Sequence, residues 1–501
     1  MGYSNVSERG RPQSDLPAEP EAVTQRPLTP DPVQGRHGTN RRHRPDRSIL
    51  ALLAVILLAA LLVTLHVREY TVLSPVDELQ HLDYALKVSD GEFVHRGDLV
   101  GTEALREEAC RGVDGGYPTP PCDARVLRPQ DFQEAGFNTA YIHTPGYYVV
   151  AGLGGRLIDR VPGVMSPVVG ARLMGALWLA AALVLMWMVF DELGVRVAAR
   201  LPVLLLVACA PTVLHAAATI NPDGSAVAIG AAALLVVLRW ESGRAGPWLL
   251  AVVAVAAILT KVNNVMAVGV AVLYLALRWY QQRAMEPGTD PAADGSDHQA
   301  GGDHAADGSA VDGPARSGRA TAAAVATLAL SVAVLGGAWM LFSSANARVD
   351  ADEIPMTQRF LVESVSVDEF VDNVTSGLTP LRDPYLPAII ATPLTRAGAI
   401  VGDRLLLIGV VASLIVSRAR SRERALAGAA ILAMIVVGPM FVGWNYLASS
   451  IYVTIPPRYG LAVVPAAAAA TGLLIERSRT GVIVGAVMSG VAAIGLLAAL
   501  S

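Results

Sequence analysis

Lysine is almost missing from this 501-residue chain: Lys87 and Lys261 are the only two, so arginine supplies nearly all of the positive charge. Cysteine is as scarce, with Cys110, Cys122 and Cys209 alone, too few for a disulfide-knit scaffold. Charged residues of all kinds make up only 16% of the chain while 53% is hydrophobic, and several apolar runs reach about 20 residues. That balance excludes an ordinary soluble globule and implies an all-α polytopic membrane protein. The net charge of −4 says little, because what matters is which loops hold arginine. The lipid bilayer is thus an expected partner, and nothing calls for nucleic acid.

Residues 1–47 are rich in Pro, Arg, Gln and Asp with no apolar period, so they are expected to form a disordered cytoplasmic tail. Arg41, Arg42, Arg44 and Arg47 abut the first apolar run, 49–67, and hold the tail inside. The long leader, with no small-residue cleavage site before Arg68, argues against a cleavable signal peptide. Further spans are expected at about 166–190, 201–219, 224–239, 248–260, 262–280, 320–342, 396–416, 425–443, 459–475 and 480–500, about eleven in all. This alternation places Arg196 and Arg200, Arg239 and Arg244, Arg278 and Arg283, Arg418 to Arg424, and Arg477 with Arg479 on the cytoplasmic side, as the positive-inside rule requires. The stretch 141–158 is apolar enough to cross, but counting it inverts every later loop. It is therefore expected to lie in the outer interface with its tyrosines as anchors. Two long loops then face outward, 68–165 and 343–395, and the latter is rich in acids. The inner loop 286–319 reads as a flexible linker in which His298 and His304 are solvated. Cys110 and Cys122 share the first outer loop, an oxidising location, and a disulfide between them is expected; Cys209 falls mid-span as a small core residue.

The polar residues of the outer side organise the reading. Ser74-Pro75-Val76-Asp77-Glu78-Leu79-Gln80-His81 follows the first span. Ser74 can cap a helix, Pro75 fits its first turn, and Asp77 sits where a capping-box acid does. Such a helix carries Asp77 and His81 on one face with Glu78 beside them, as a site or as a mere cap with a solvated neighbour. Asn221-Pro222-Asp223 joins two spans, either lining a polar cavity or forming a plain turn. Lys261, Asn263 and Asn264 interrupt an apolar stretch, which marks either a ligand site at membrane depth or a short loop whose lysine reaches the headgroups. His143, Tyr147 and Tyr148 lie on the interfacial segment, and Arg458 opens a late span, where it can grip an anion or snorkel. Acids suit the deprotonation of a hydroxyl and cations suit an anionic leaving group, so the set fits transfer from a lipid phosphate.

At these residues the chain resembles the GT-C superfamily, integral membrane glycosyltransferases that use polyprenyl-phosphate sugars. The likeness rests on Asp77-Glu78 after the first span, His143-Thr144-Pro145-Gly146-Tyr147-Tyr148, Pro222-Asp223, and Arg458-Tyr459 before a late span, and covers about residues 48–475, leaving 476–501 as a last transmembrane helix. A bacterial branch of predicted membrane proteins with Pro-Asp-Glu-x-x-His after the first span is the most similar. Val76 departs from the proline usual before Asp-Glu, and Gly146 breaks the usual Pro-Pro pair. The resemblance implies a GT-C-like fold and a transfer, with inversion, from a polyprenyl-phosphate sugar to an extracytoplasmic glycan, lipid or protein acceptor. It implies Asp77 as general base, with Glu78 and His81 orienting acceptor or base. It further implies that Asp223 lines the donor pocket, with His143, Tyr147 and Asn264 as substrate contacts, and that Lys261 and Arg458 offset charge on the leaving phosphate. No cofactor is certain, and a divalent cation stays open, since some members use one and Asp77, Glu78 and His81 alone do not complete a shell. A transporter or lipid flippase, or an inactive scaffold of the same fold, are the competing readings.

Overall fold

The computed structural model describes residues 47–161, 166–283, 316–361, 364–383, 392–449, 452 and 456–500. The expected tail up to residue 46 and the inner loop through residue 315, with His298 and His304, lie outside the described residues. Among the described residues the regular structure is helical: α1 (Arg47–Glu69), α2 (Glu78–Ser89), α3 (Thr102–Arg111), α4 (Gly146–Asp159), α5 (Pro167–Leu173), α6 (Gly175–Glu192), α7 (Val197–Ala208), α8 (Pro211–Ala218) and α9 (Ala226–Glu241). There follow α10 (Pro247–Thr260), α11 (Val265–Arg283), α12 (Gly318–Ala345), α13 (Pro355–Phe360), α14 (Val367–Gly377), α15 (Pro393–Val416), α16 (Arg422–Ser449), α17 (Val464–Glu476) and α18 (Arg479–Leu497).

Nine segments among the described residues are long and apolar enough to cross a membrane, ten if the α7–α8 pair counts as one span. Among the described residues the expected eleven is therefore not confirmed, and the two segments that fall short have local causes. The run expected at 201–219 is bent by 62° between α7 and α8. Pro211 offers no N–H to the turn before it and pushes Ala210 out of the helical region, to φ −68° and ψ 124°. The run expected at 248–260 is α10, which has 14 residues and stops where Lys261 becomes extended, at φ −164°. Fourteen residues rise only about 21 Å, against the roughly 30 Å of hydrocarbon.

The segment expected to lie in the outer interface is α4, also 14 residues long. Its faces differ: Tyr147, Tyr148, Ala151, Gly152 and Gly155 are buried, while Val149, Leu153 and Leu157, four residues apart, are exposed. The buried face approaches its neighbours so closely that a Cβ on Gly152 would fall 2.1 Å from the Ala85 carbonyl oxygen of α2. The tyrosines correct the expectation of interfacial anchors, because both rings point inward.

Ion pairs divide the loops between two ends of the bundle. At one end Glu192 takes Arg239 and Arg244, Arg196 takes Glu476, Glu241 takes Arg278 and Arg422, and Glu423 takes Arg477. These are the loops in which the sequence gathers its arginines. The opposite end carries the segments around residues 74, 221, 261, 383 and 458. There a smaller core, built from Leu73, Leu79, Leu82, Tyr84, Phe132, Tyr148 and Ile220 among others, sits beside the main one. Cys110 and Cys122 are bridged, and Cys209 is buried and free, both as expected. The residue after α3 is tied to the site: Leu73 donates its N–H to the Gly112 carbonyl and accepts that of Asp114.

Candidate active site

Asp77 occupies the residue before α2 but does not cap it. Its backbone is left-handed, φ 54° and ψ 18°, and its side chain takes no cap hydrogen bond, which corrects the capping-box expectation. A non-glycine residue in this region costs about 1–3 kcal/mol unless its surroundings enforce it, although Asp tolerates it better than most. The Ser74 hydroxyl does not cap α2 either; it accepts the Val76 N–H at 3.2 Å and lies 3.2 Å from His215 Nε2. The Asp77 carboxylate is half-buried, and among the described residues nothing hydrogen-bonds to it. Burial raises its pKa above the ordinary carboxylate value, against the opposing pull of Arg458.

Glu78 is its opposite. It is 1% exposed and both oxygens are filled. Oε1 accepts from Arg172 Nε at 2.8 Å and the Ile220 N–H at 2.9 Å; Oε2 accepts from Arg172 Nη2 at 2.7 Å and the Ser74 N–H at 2.7 Å. Burial acts to raise its pKa, but the Arg172 charge and these hydrogen bonds outweigh it and hold the carboxyl below the ordinary range. With no free lone pair pointing at solvent, Glu78 is not placed to touch substrate.

The cations lie in a second array. Lys261 is 2% exposed, its Nζ 2.5 Å from Asp223 Oδ1 and 4.4 Å from the centre of the Tyr459 ring. Arg458 Nη1 donates to Asp383 Oδ2 at 2.9 Å, while Nε, 3.4 Å from Asp223 Oδ2, has no hydrogen-bond acceptor among the described residues. Both cations are buried, which excludes the snorkelling readings. Asn221 caps the turn that presents Asp223, its side chain accepting the Asp223 N–H at 2.9 Å, so this tripeptide is a turn and lines the polar site at once. Asn264 instead donates to Ser225 Oγ and Thr260 Oγ1, bracing the break between α10 and α11 from inside.

Uncharged rings complete the surroundings. His81 Nδ1 lies 2.8 Å from the Tyr148 hydroxyl, and the His81 and His143 rings are 5.6 Å apart. Burial lowers the pKa of both histidines well below the usual value, helped by Lys261, so both are neutral imidazoles. Tyr147 accepts the Asn221 N–H at 3.0 Å, linking α4 to the Asp223 turn. Among the described residues no three His, Cys, Asp or Glu side chains converge to hold a metal ion. Asp77, Glu78 and His81 do not fit one, since Glu78 is spent on Arg172 and His81 on Tyr148.

Two residues escaped the sequence reading. Arg172 was visible as the one charge early in the 166–190 apolar run, and a charge there needs a partner. Asp383 was one acid among several in its loop. What sets it apart is long-range: Thr212 Oγ1 meets its N–H at 3.2 Å and donates to the Leu381 carbonyl at 2.8 Å, fixing the residue opposite Arg458.

No family model matches the chain, and no curated protein matches it. Among solved structures it is similar to ArnT from Cupriavidus metallidurans bound to undecaprenyl phosphate, at 14% identity and a TM-score of 0.44, covering 86% of this chain and 60% of that one. It is also similar to the arabinofuranosyltransferase AftD from mycobacteria, at 16% identity and a TM-score of 0.34, covering 85% of this chain and 26% of that one. The chain thus spans less than two thirds of either.

Proposed function

We propose that the chain is a GT-C-like membrane glycosyltransferase that moves a sugar from a polyprenyl-phosphate donor to an extracytoplasmic acceptor hydroxyl, with inversion. The observation that carries this reading is the Asp77 carboxylate, free of hydrogen bonds among the described residues and within electrostatic reach of Arg458 and Lys261. A base needs an unoccupied lone pair, and a leaving phosphate needs positive charge fixed in place before it departs.

In this mechanism Asp77 takes the proton of the acceptor hydroxyl as the oxygen attacks the anomeric carbon. The bond from that carbon to the phosphate oxygen breaks on the opposite face, and both electrons leave with the phosphate. Arg458, paired with Asp223 and Asp383, and Lys261, held between Asp223 and Tyr459, contribute field to the growing charge rather than contact. The neutral imidazoles of His81 and His143 and the Tyr148 hydroxyl suit sugar or acceptor hydroxyls, which want donors and acceptors without charge. We place the tail in the cytoplasm and the site outside the cell membrane because the arginine-rich loops gather at the opposite end.

The reading is tested by comparing envelope glycans of a strain lacking the gene, complemented with wild type or with Asp77→Asn. Loss of one sugar substituent in the deletion, restored by wild type and not by the variant, is expected. An unchanged envelope in the deletion strain counts against the assignment.

A further inference from the structure

Glu78 and Arg172 are both 1% exposed, and their pairing is more elaborate than charge neutralisation needs. Arg172, on α5, also donates from Nη1 to the Tyr70 carbonyl at 2.6 Å and from Nη2 to the Val72 carbonyl at 2.7 Å. Glu78 collects the N–H groups of Ser74 and Ile220 at 2.7 and 2.9 Å. One ion pair therefore joins the end of α1, the start of α2, α5 and the segment leaving α8. Asp77 is the residue immediately before Glu78, and Asn221, which caps the Asp223 turn, immediately follows Ile220. The two functional carboxylates are each within three residues of a backbone group that this pair holds.

Resting on the glycosyltransferase reading above, we propose that the Glu78–Arg172 pair is a positioning device: it holds Asp77 in its left-handed conformation and fixes the base in register with the Asp223–Lys261–Arg458 array. Neither residue touches substrate. The device is needed because the base and the cation array come from chain segments well over a hundred residues apart, Asp77 on one side and Asp223 with Lys261 on the other. A misplacement of about 1 Å in such a site costs on the order of 10²-fold in rate. The left-handed backbone of Asp77 follows from the same constraint. The Ser74 N–H and the Glu78 carboxylate close a loop over five residues, so the chain must reverse within Pro75, Val76 and Asp77, and only Asp77 can take a positive φ at modest cost.

The test reads the surroundings of Asp77 directly. The full chain in lipid nanodiscs is treated with a water-soluble carbodiimide and an amine across a pH series, and modified carboxyls are mapped by mass spectrometry. Groups facing Asp77 are Arg458, Lys261, Asp223 and Glu134, and none of them is altered. In wild type, Glu78 stays unmodified while Asp77 reacts, with a half-point above the ordinary carboxylate range. In Glu78→Gln, and in the charge-neutral double variant Glu78→Gln/Arg172→Met, which leaves no buried unpaired ion, the Asp77 half-point falls toward that range. Turnover with polyprenyl-phosphate hexose or pentose falls about 10²-fold, donor KM changing less than kcat. A purely structural pair predicts instead that the double variant, once it melts like wild type, regains turnover and the wild-type half-point; that result overturns the proposal, as does modification of Glu78 alongside Asp77 in wild type. Asp77→Asn separates the two claims: an active Asp77→Asn removes the base reading, whereas an inactive one beside a fully active double variant removes the positioning role alone.

Discussion

A carboxylate that serves as a base must be ionised when the acceptor arrives, and the surroundings of Asp77 decide the pH at which that holds. Burial raises its pKa, so the rate of transfer should climb with pH through a limb lying above the ordinary carboxylate range and then level off. His81 and His143 are held neutral by burial and add no limb of their own near the ordinary histidine value. A pH–rate profile of the purified protein checks this, and activity that stays flat down through the ordinary carboxylate range counts against Asp77 as the base. At this scale the sequence named several of the polar side chains that the structure gathers at one end. Asp77, His81, Asp223, Lys261 and Arg458 stood out as short polar interruptions beside apolar runs, and the structure groups them at one end. It misjudged their partners. Nothing local distinguishes a free carboxylate at Asp77 from a spent one at Glu78, since the difference is made by Arg172, 94 residues on.

Elements of the outer loop carry a titration of their own. Glu108 on α3 is fully buried with Oε1 lacking a hydrogen bond among the described residues, and Gln133 donates to Oε2 at 3.2 Å. Burial pushes its carboxyl up to about 7, from 4.5, with the Gln133 hydrogen bond acting against the rise. A raised folded-state pKa means the folded loop holds its proton longer than the unfolded chain. The associated stability is fully present below about pH 4.5 and is lost as pH rises through about 7. Melting of the wild-type protein should therefore weaken across that window, and Glu108→Gln should flatten the dependence; an equal slope in both proteins rejects the assignment. Helix lengths were legible from apolar runs because lipid-facing helices carry little else. The bend at Pro211 was legible in principle, since proline restricts its own residue and the one before. The inward turn of Tyr147 and Tyr148 was not, because a tyrosine at a membrane surface reads the same from sequence whether it faces lipid or α2.

For the whole molecule, the central expectation is that its two ends face opposite sides of the membrane. Single cysteines replacing Tyr117 or Arg160 should react with an impermeant thiol reagent added outside, and one replacing Ala419 should react only after permeabilisation. Cys209 is buried and gives a low background. Reaction of the Arg160 position only after permeabilisation would mean that α4 crosses and the later loops are inverted. The arginine pattern is what suggests this arrangement, and the ion pairs gather the same loops at one end. What composition could not reveal is that the site is assembled from the starts and ends of helices far apart in sequence.

The most direct measurement is the transfer activity and thermal melting of purified Asp77→Asn beside wild type, with polyprenyl-phosphate hexose and pentose donors. Asn keeps the shape of the side chain and tolerates the left-handed backbone about as well as Asp, so melting should be unchanged. It cannot take a proton, and the rate should fall by about 10²- to 10⁴-fold. Near-normal turnover in a variant that melts like wild type would contradict the account.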